Sequence, residues 1–135
     1  DKASEGLLLF SNDPEWAARI ADPESGPDKT YHVQVDARPD AALLAALERG
    51  IEDGGERLAA RSAKLLRQGE RNAWLEIVLD EGRNRQIRRL LAAHGIEVLR
   101  LVRVAIGDLA LGELAKGRWR ALSAEEARAL AAPSR

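Results

Sequence analysis

The feature that most constrains the fold is a strand pattern that leads, through one glycine, directly into an arginine-rich helix pattern. Residues 74–80 alternate between apolar and other side chains, which predicts a half-buried strand. After Gly82, helical periodicity predicts a helix with one inward side formed by Ile87, Leu90, Leu91 and His94. Gly95 then predicts a left-handed cap that ends this helix.

The arginines of this helix occupy different positions on the helical wheel. Arg85 and Arg89 project away from the apolar side, whereas Arg88 lies at the border between the two sides. A border arginine can lay its stem along the protein body and direct its guanidinium toward a cleft. Arg88 is therefore the arginine that we expect to reach a site of chemistry.

Positive charge is concentrated around this helix. From Arg83 to Arg103 the chain has six arginines and one acidic residue, Glu97, although its net charge is −1. Arginine suits bidentate phosphate contact and stacking. The concentration indicates one polyanion-binding surface, although an ordinary solvated helix face is the alternative that these residues leave open. The arginines concerned are Arg83, Arg85, Arg88, Arg89, Arg100 and Arg103.

Composition limits the chemistry that the chain can perform. Its 135 residues include no cysteine and two histidines, which excludes disulfides and thiolate metal sites. We expect one domain, residues 1–135, that needs no metal or cofactor and uses carboxylates, arginines, hydroxyls or Tyr31 for any catalysis. Because no signal peptide or apolar run of membrane-spanning length is present, we expect a cytoplasmic protein without a membrane partner. The lack of methionine predicts a fragment of a longer chain or a processed product.

The other segments predict a mixture of helices and strands. An unbroken apolar run at residues 7–10 predicts a strand buried on both faces. Further strands are predicted at 29–36, at 97–106 and around Trp119, and further helices from Pro14, Asp40 and Ser123. Residues 57–66 are alanine-rich, which favours a helix, but the turns on both sides favour one or two strands, which we predict. We expect all three tryptophans in the core. The order lacks regular βαβ spacing, which favours an α+β domain with a mainly antiparallel mixed sheet flanked by helices.

Five segments together resemble the catalytic domain of bacterial ribosomal RNA pseudouridine synthases of the RsuA type. The resemblance covers nearly the whole chain, and its specificity comes from the order and spacing of segments that are weak singly. The segments are DKASEGLLL at 1–9, KTY at 29–31, EGRNRQIRRL at 81–90, LRL at 99–101 with IG at 106–107, and GRWR at 117–120.

The resemblance implies a function and roles for individual residues. It implies an isomerase that converts specific uridines of ribosomal RNA, with the large subunit as the expected source, to pseudouridine. The resemblance also implies that Asp1 is the catalytic aspartate and that Arg88 pairs with its carboxylate. It implies further that Tyr31 stacks on the target uracil and that an aliphatic residue near Leu101 lines the pocket. The aspartate of this family follows a Gly-Arg-Leu tripeptide that is missing here, so we expect a catalytic domain truncated at its N-terminus and without the small N-terminal RNA-binding domain of many members.

These residue types suit the implied reaction, which breaks a glycosidic bond, turns the base and rejoins it without redox change. A carboxylate can act as nucleophile or as base in such a step, and the residues leave both open. A nearby arginine keeps that carboxylate ionised, and an aromatic face can receive a base that has left the helical stack. We expect a monomer acting on ribosomal RNA. The rival interpretation is a non-catalytic RNA-binding or ribosome-associated module, which would need neither Asp1 nor its arginine partner.

Overall fold

The computed structural model describes residues 4–22, 26–80 and 85–132. In chain order its elements are β1 (Glu5–Gly6), α1 (Pro14–Ala21), β2 (Lys29–Val35), α2 (Ala41–Arg49), β3 (Ile51–Asp53), β4 (Glu56–Leu58), β5 (Ser62–Gln68), β6 (Ala73–Leu79), α3 (Gln86–Ala92), β7 (Val98–Ile106), β8 (Leu109–Ala110) and α4 (Ala124–Ala131).

One sheet carries most of the chain. Its strand order is β1-β7-β2-β6-β5, with β8 paired to β7, while β3 and β4 form a separate hairpin. Only β1 runs parallel to its neighbour among the described strands, and all other pairs are antiparallel. The predicted α+β class with a mainly antiparallel mixed sheet is therefore confirmed. The central strand is β2, whose predicted alternation places successive side chains on opposite faces.

The helices begin where the sequence predicts, because polar side chains cap their first turns. The Asp13 carboxylate accepts hydrogen bonds from the Glu15 and Trp16 amides at the start of α1. Asp40 caps α2 by accepting from the Leu43 amide at 2.8 Å. Ser123 forms a reciprocal capping box at the start of α4. Each such cap stabilises its helix by about 1 kcal/mol.

The main core lies between one face of the sheet and the helices α2 and α3. We call this face, which carries Tyr31, Val33 and Leu101, the front face, and the face that carries Gln34, Trp74 and Arg100 the back face. The front face and the two helices bury a continuous apolar cluster. A second, smaller cluster joins α1 and α4 to the end of β7 and to β8. Burial of one leucine side chain contributes about 1.5–3 kcal/mol, so the cluster under α3 decides where that helix lies.

Residues 57–66, where helix and strand propensities compete, form strands as predicted. β3 and β4 pair around a turn at Gly54 and Gly55, and β5 then joins the edge of the main sheet against β6. Pairing with β6 outweighs the helical propensity of the alanines in this segment.

The prediction of a fully buried strand at residues 7–10 is wrong. β1 ends at Gly6, and the side chains of Leu8 and Phe10 are 63% and 88% exposed. Leu7 and Leu9 pack partly against the second cluster. Residues 7–10 form no strand, and among the described residues no element covers the side of the run that carries Leu8 and Phe10.

The prediction for Trp119 is also wrong. Its side chain is 85% exposed, and residues 118–122 form neither helix nor strand. The other tryptophans are half-buried. The Trp16 indole packs against the second cluster and donates to the Ala127 carbonyl at 2.7 Å, which ties α1 to α4. Trp74 lies on the back face outside both clusters, so its predicted core position is wrong as well. Large aromatic residues predict burial on average, but the burial requires a covering element that no local pattern reveals.

Candidate active site

Tyr31 lies in the middle of the front face. It is half-buried and packs against the main core. On its two sides it stands opposite Ile77 of β6 and Arg103 of β7. Leu101 lies two residues before Arg103 on β7, stands opposite Val33, and is 5% exposed. Because directly opposite residues of antiparallel strands share a face, Tyr31, Leu101 and Arg103 all belong to the front face.

The helix α3 packs on this face and carries the arginine predicted to meet the catalytic carboxylate. Ile87, Leu90 and Leu91 are buried in the main core, as the helical wheel predicts, and Arg88 is half-buried. The helix ends at Ala92 and continues as a turn to Gly95, whose φ of 72° agrees with the predicted left-handed residue after the helix. Arg88 thus emerges at the margin of the same core that Tyr31 borders.

The residue that precedes α3 has an unusual backbone conformation. Arg85 has a φ of 51° and is the one non-glycine residue with positive φ in the described part of the chain. A left-handed conformation costs a residue with a Cβ about 1–2 kcal/mol. Such strain is often located at functional sites. Arg85 itself is exposed.

The helical wheel predicts that Arg89 projects freely into solvent, but in the structure it does not. Its Nε lies 2.8 Å from Oδ2 of Asp53, and its Nη1 lies 2.9 Å from Oε1 of Glu56. The side chain is only 24% exposed. Hydrogen bonds to Asp53 and then to Glu56 raise the pKa of the Arg89 guanidinium. The wheel prediction fails because the β3–β4 hairpin covers the outward side of α3.

Arg100 lies on the back face, away from Tyr31. It stands opposite Gln34, which in turn pairs with Trp74. Its Nε and Nη2 donate to the Glu5 carboxylate at 3.1 and 2.9 Å, and these hydrogen bonds lower the pKa of Glu5. The guanidinium carbons of Arg100 and Arg67 lie 5.6 and 5.4 Å from the centre of the Trp74 ring.

The predicted single arginine surface is therefore wrong. Arg100 and Arg103 point to opposite faces of the sheet, and Nε of Arg103 donates to the Leu7 carbonyl at 2.9 Å. Arg89 contacts two carboxylates, those of Asp53 and Glu56, and Arg100 contacts that of Glu5. Strand geometry explains the division, since residues three apart in a strand lie on opposite faces.

The comparison with known proteins identifies the family. A family model described as RNA pseudouridylate synthase matches residues 1–93. The chain belongs to this family.

Named relatives and a solved structure agree with this family. The chain is 44% identical to "Ribosomal large subunit pseudouridine synthase E" of Xanthomonas campestris pv. campestris, covering 89% of this chain and 72% of that protein. It is 38% identical to the protein of that name from Vibrio parahaemolyticus, covering 89% and 56%. A crystal structure of a pseudouridylate synthase matches with a TM-score of 0.80 and 34% identity, over 94% of this chain and 55% of that chain. The predicted family and fold are confirmed.

Two residues predicted for the pseudouridylate synthase site, Asp1 and Arg83, lie outside the described residues. Their roles stay predictions, as do those of Tyr31, Arg88, Leu101 and the other arginines. Within the described ranges no three histidine or acidic side chains gather as a metal site would require. No described helix is long and apolar enough to cross a membrane.

The sequence interpretation missed three residues that position α3. Gln86 is 2% exposed, and its Nε2 donates to the Ala59 carbonyl at 3.0 Å. Asp53 and Glu56 flank the hairpin turn and hold Arg89. A glutamine inside a predicted apolar helix side is one signal that could have been noticed, because a buried amide requires a partner. His94, which the wheel places inward, does have a buried Nε2, and this atom has no partner among the described residues.

Proposed function

We propose that this chain is the catalytic domain of an enzyme that isomerises uridine to pseudouridine in large-subunit ribosomal RNA. The observation that carries the proposal is the 44% identity, over 89% of the chain, with a protein named ribosomal large subunit pseudouridine synthase E. A second Xanthomonas protein of that name, 44% identical over 95% of the chain, supports it. The three synthases of this name are matched over 56–75% of their own length. Residues 1–135 act as one catalytic domain in this proposal.

The reaction sets clear demands on the site. The bond between N1 of the base and C1′ of the ribose breaks, the base turns, and a bond between C5 and C1′ forms. The proton on C5 is lost and N1 gains one, so the product has the same atoms as the substrate. A carboxylate serves either as nucleophile in this sequence or as base. The base must also leave the RNA stack to be reached.

We assign the carboxylate role to Asp1, on the family resemblance. Arg88, half-buried on α3, would pair with this carboxylate, keep it ionised and fix its direction. Tyr31 would stack on the displaced uracil, since its ring is half-buried at the margin of the front-face core. Leu101, beside it on the same face, would supply an apolar wall.

The remaining arginines are not equal candidates for phosphate contact. Arg83, Arg85 and Arg103 are retained as proposed contacts with the RNA backbone. Arg89 and Arg100 are weaker candidates, because freeing either guanidinium for phosphate would break hydrogen bonds to carboxylates. Each phosphate contact contributes to the salt dependence of binding.

The proposal is tested with the natural full-length protein and unmodified large-subunit ribosomal RNA. Pseudouridine is mapped along the RNA after incubation with the wild type and with Asp1→Asn, and RNA affinity is measured for both. We expect conversion at defined uridines by the wild type, loss of conversion in Asp1→Asn, and similar affinities. Binding without conversion by the wild type would favour the RNA-binding module. Full activity of Asp1→Asn would remove Asp1 from the mechanism.

A further inference from the structure

The orientation of α3 depends on contacts with other elements. The helix has seven residues, and Arg85 at its N-cap provides no side-chain capping hydrogen bond. At ~1.5 Å of rise per residue it is about 10 Å long, too short to be stable in isolation. Its apolar side is fixed by the main core. The core therefore sets the approximate rotation of the helix, and its polar contacts can restrict the small rotation about its own axis that remains.

Two polar side chains join α3 to the segment formed by β3, β4 and the start of β5. The buried Gln86 donates to the Ala59 carbonyl. The Arg89 guanidinium contacts Asp53 and Glu56, which are paired partners at the end of the β3–β4 hairpin. Arg89 Nη2 also donates to the Asp53 backbone carbonyl at 3.2 Å. One planar guanidinium therefore joins both hairpin strands to the helix, an arrangement that a lysine ammonium does not reproduce.

Arg89 directly follows Arg88, so any rotation that displaces one displaces the other. Successive residues of a helix are about 100° apart, and a rotation of ~10° moves a group ~6 Å from the axis by about 1 Å. A misplacement of about 1 Å in a catalytic constellation can lower the rate by roughly 10²-fold. The contacts of Arg89 thus have the geometry to determine where the Arg88 guanidinium lies.

We infer that Arg89 is a positioning residue, which with Asp53 and Glu56 fixes the rotation of α3 and thereby the placement of Arg88. The inference rests on the proposed role of Arg88 in the reaction. In this inference Arg89 contacts the β3–β4 hairpin inside the protein and does not contact RNA phosphate. It also gives the β3–β4 hairpin a function, as the element that holds the catalytic helix from its outward side.

The acidic partners provide the sharpest test. Asp53→Asn with Glu56→Gln weakens the contacts of Arg89 and removes two negative charges. In the full-length protein we expect kcat to fall about tenfold to a hundredfold, while RNA affinity stays unchanged or becomes tighter. If Arg89 contacts phosphate, the same variant frees its guanidinium and kcat is retained. Arg89→Ala should likewise lower kcat without changing the salt slope of binding, whereas loss of a phosphate contact would reduce that slope by about one unit.

Glu52→Gln is the matched control. Glu52 lies on the same hairpin, and its side chain is 70% exposed, 3.9 Å from Arg57. It should change neither kcat nor RNA affinity. Arg89→Lys should retain less activity than the control, because lysine keeps the charge and loses the planar contact. All rates are measured well below the melting temperature of each variant, so that global unfolding does not contribute.

A measurement without RNA separates this inference from the proposed function. We expect hydrogen exchange of the α3 amides, and the NMR signal of the Arg88 Nε–H group, to change in the Asp53→Asn and Glu56→Gln variant and not in Glu52→Gln. Unchanged exchange and an unchanged Arg88 signal would overturn the positioning role, whatever the activity. A wild type without conversion would instead refute the proposed function, while these two measurements would still decide whether Arg89 positions Arg88.

Discussion

The two faces of the central sheet carry similar residue types in different settings. On the front face, Tyr31 and Arg103 lie beside an apolar core that α3 covers. On the back face, Trp74 and Arg100 line an open depression with Arg67 and His32. Aromatic and arginine side chains therefore do not by themselves distinguish the face that we propose to carry the reaction. The difference lies in the covering helix α3, which brings Arg88 to the margin of the front-face core, where we propose that it pairs with the catalytic carboxylate.

Packing should give the largest difference between the faces. Leu90 is fully buried where α3 meets the front face, whereas Leu66 on the back-face side is 43% exposed. We expect Leu90→Ala to lower the free energy of unfolding by about 2–5 kcal/mol. Leu66→Ala should change it by less than about 0.5 kcal/mol. Urea denaturation of both variants measures this, and equal losses would show that the back face is as well packed as the front.

Arginine chemistry should give the next difference. We expect Arg88→Lys to lower kcat about a hundredfold with little loss of RNA affinity, because lysine keeps the charge and loses the bidentate geometry. Arg67→Lys, on the back face, is the matched control and should leave kcat nearly unchanged. Steady-state kinetics with one RNA substrate decide the point. Parallel losses of affinity and turnover in Arg88→Lys would make Arg88 a phosphate contact.

The aromatic residues should differ in RNA binding. Base–aromatic stacking contributes about 1–3 kcal/mol per base, so Tyr31→Ala should weaken binding of a substrate stem-loop by that amount. Tyr31→Phe should bind nearly as well as the wild type, since the ring is retained. Trp74→Ala should have little effect. A loss in Trp74→Ala equal to that in Tyr31→Ala would place RNA on the back face as well.

Local patterns predicted most of the elements. The strands β2 and β6 follow from alternation and β7 from its β-branched residues. The starts of α1, α2 and α4 follow from their capping residues, and all these signals depend on near neighbours in sequence. The opposite faces of Arg100 and Arg103 could also have been predicted from the two-residue period of a strand. The concentration of arginines along the sequence does not show on which face of the strand each arginine lies.

Contacts between distant elements could not be predicted in this way. The ion pairs of Arg89 depend on the β3–β4 hairpin folding over α3, and no periodicity within either segment reports that contact. The exposure of Phe10 and Trp119 likewise depends on which elements cover them. Of the predicted site, Tyr31 and Leu101 share the front face, on which α3 also packs, whereas Arg100 does not share it.

The smallest expected effect concerns the ion pair on the back face. Hydrogen bonding from Arg100 lowers the pKa of Glu5 below its ordinary value of 4.5. A lowered pKa in the folded state means that the pair stabilises the protein fully above about pH 4.5, and that the stabilisation is lost as the pH falls through the lowered pKa. Because both side chains are partly exposed, the effect is modest and decreases with salt. We expect Glu5→Gln to melt slightly below the wild type at pH 7, and this difference should shrink as the pH falls below 4.5. The control is Glu70→Gln, which changes an exposed carboxylate elsewhere and should show a smaller difference in melting temperature.

Glu5→Gln also sharpens the comparison of the two faces. Releasing Arg100 should leave RNA affinity unchanged if the back face does not bind RNA. Tighter binding by Glu5→Gln would instead make Arg100 a latent phosphate contact.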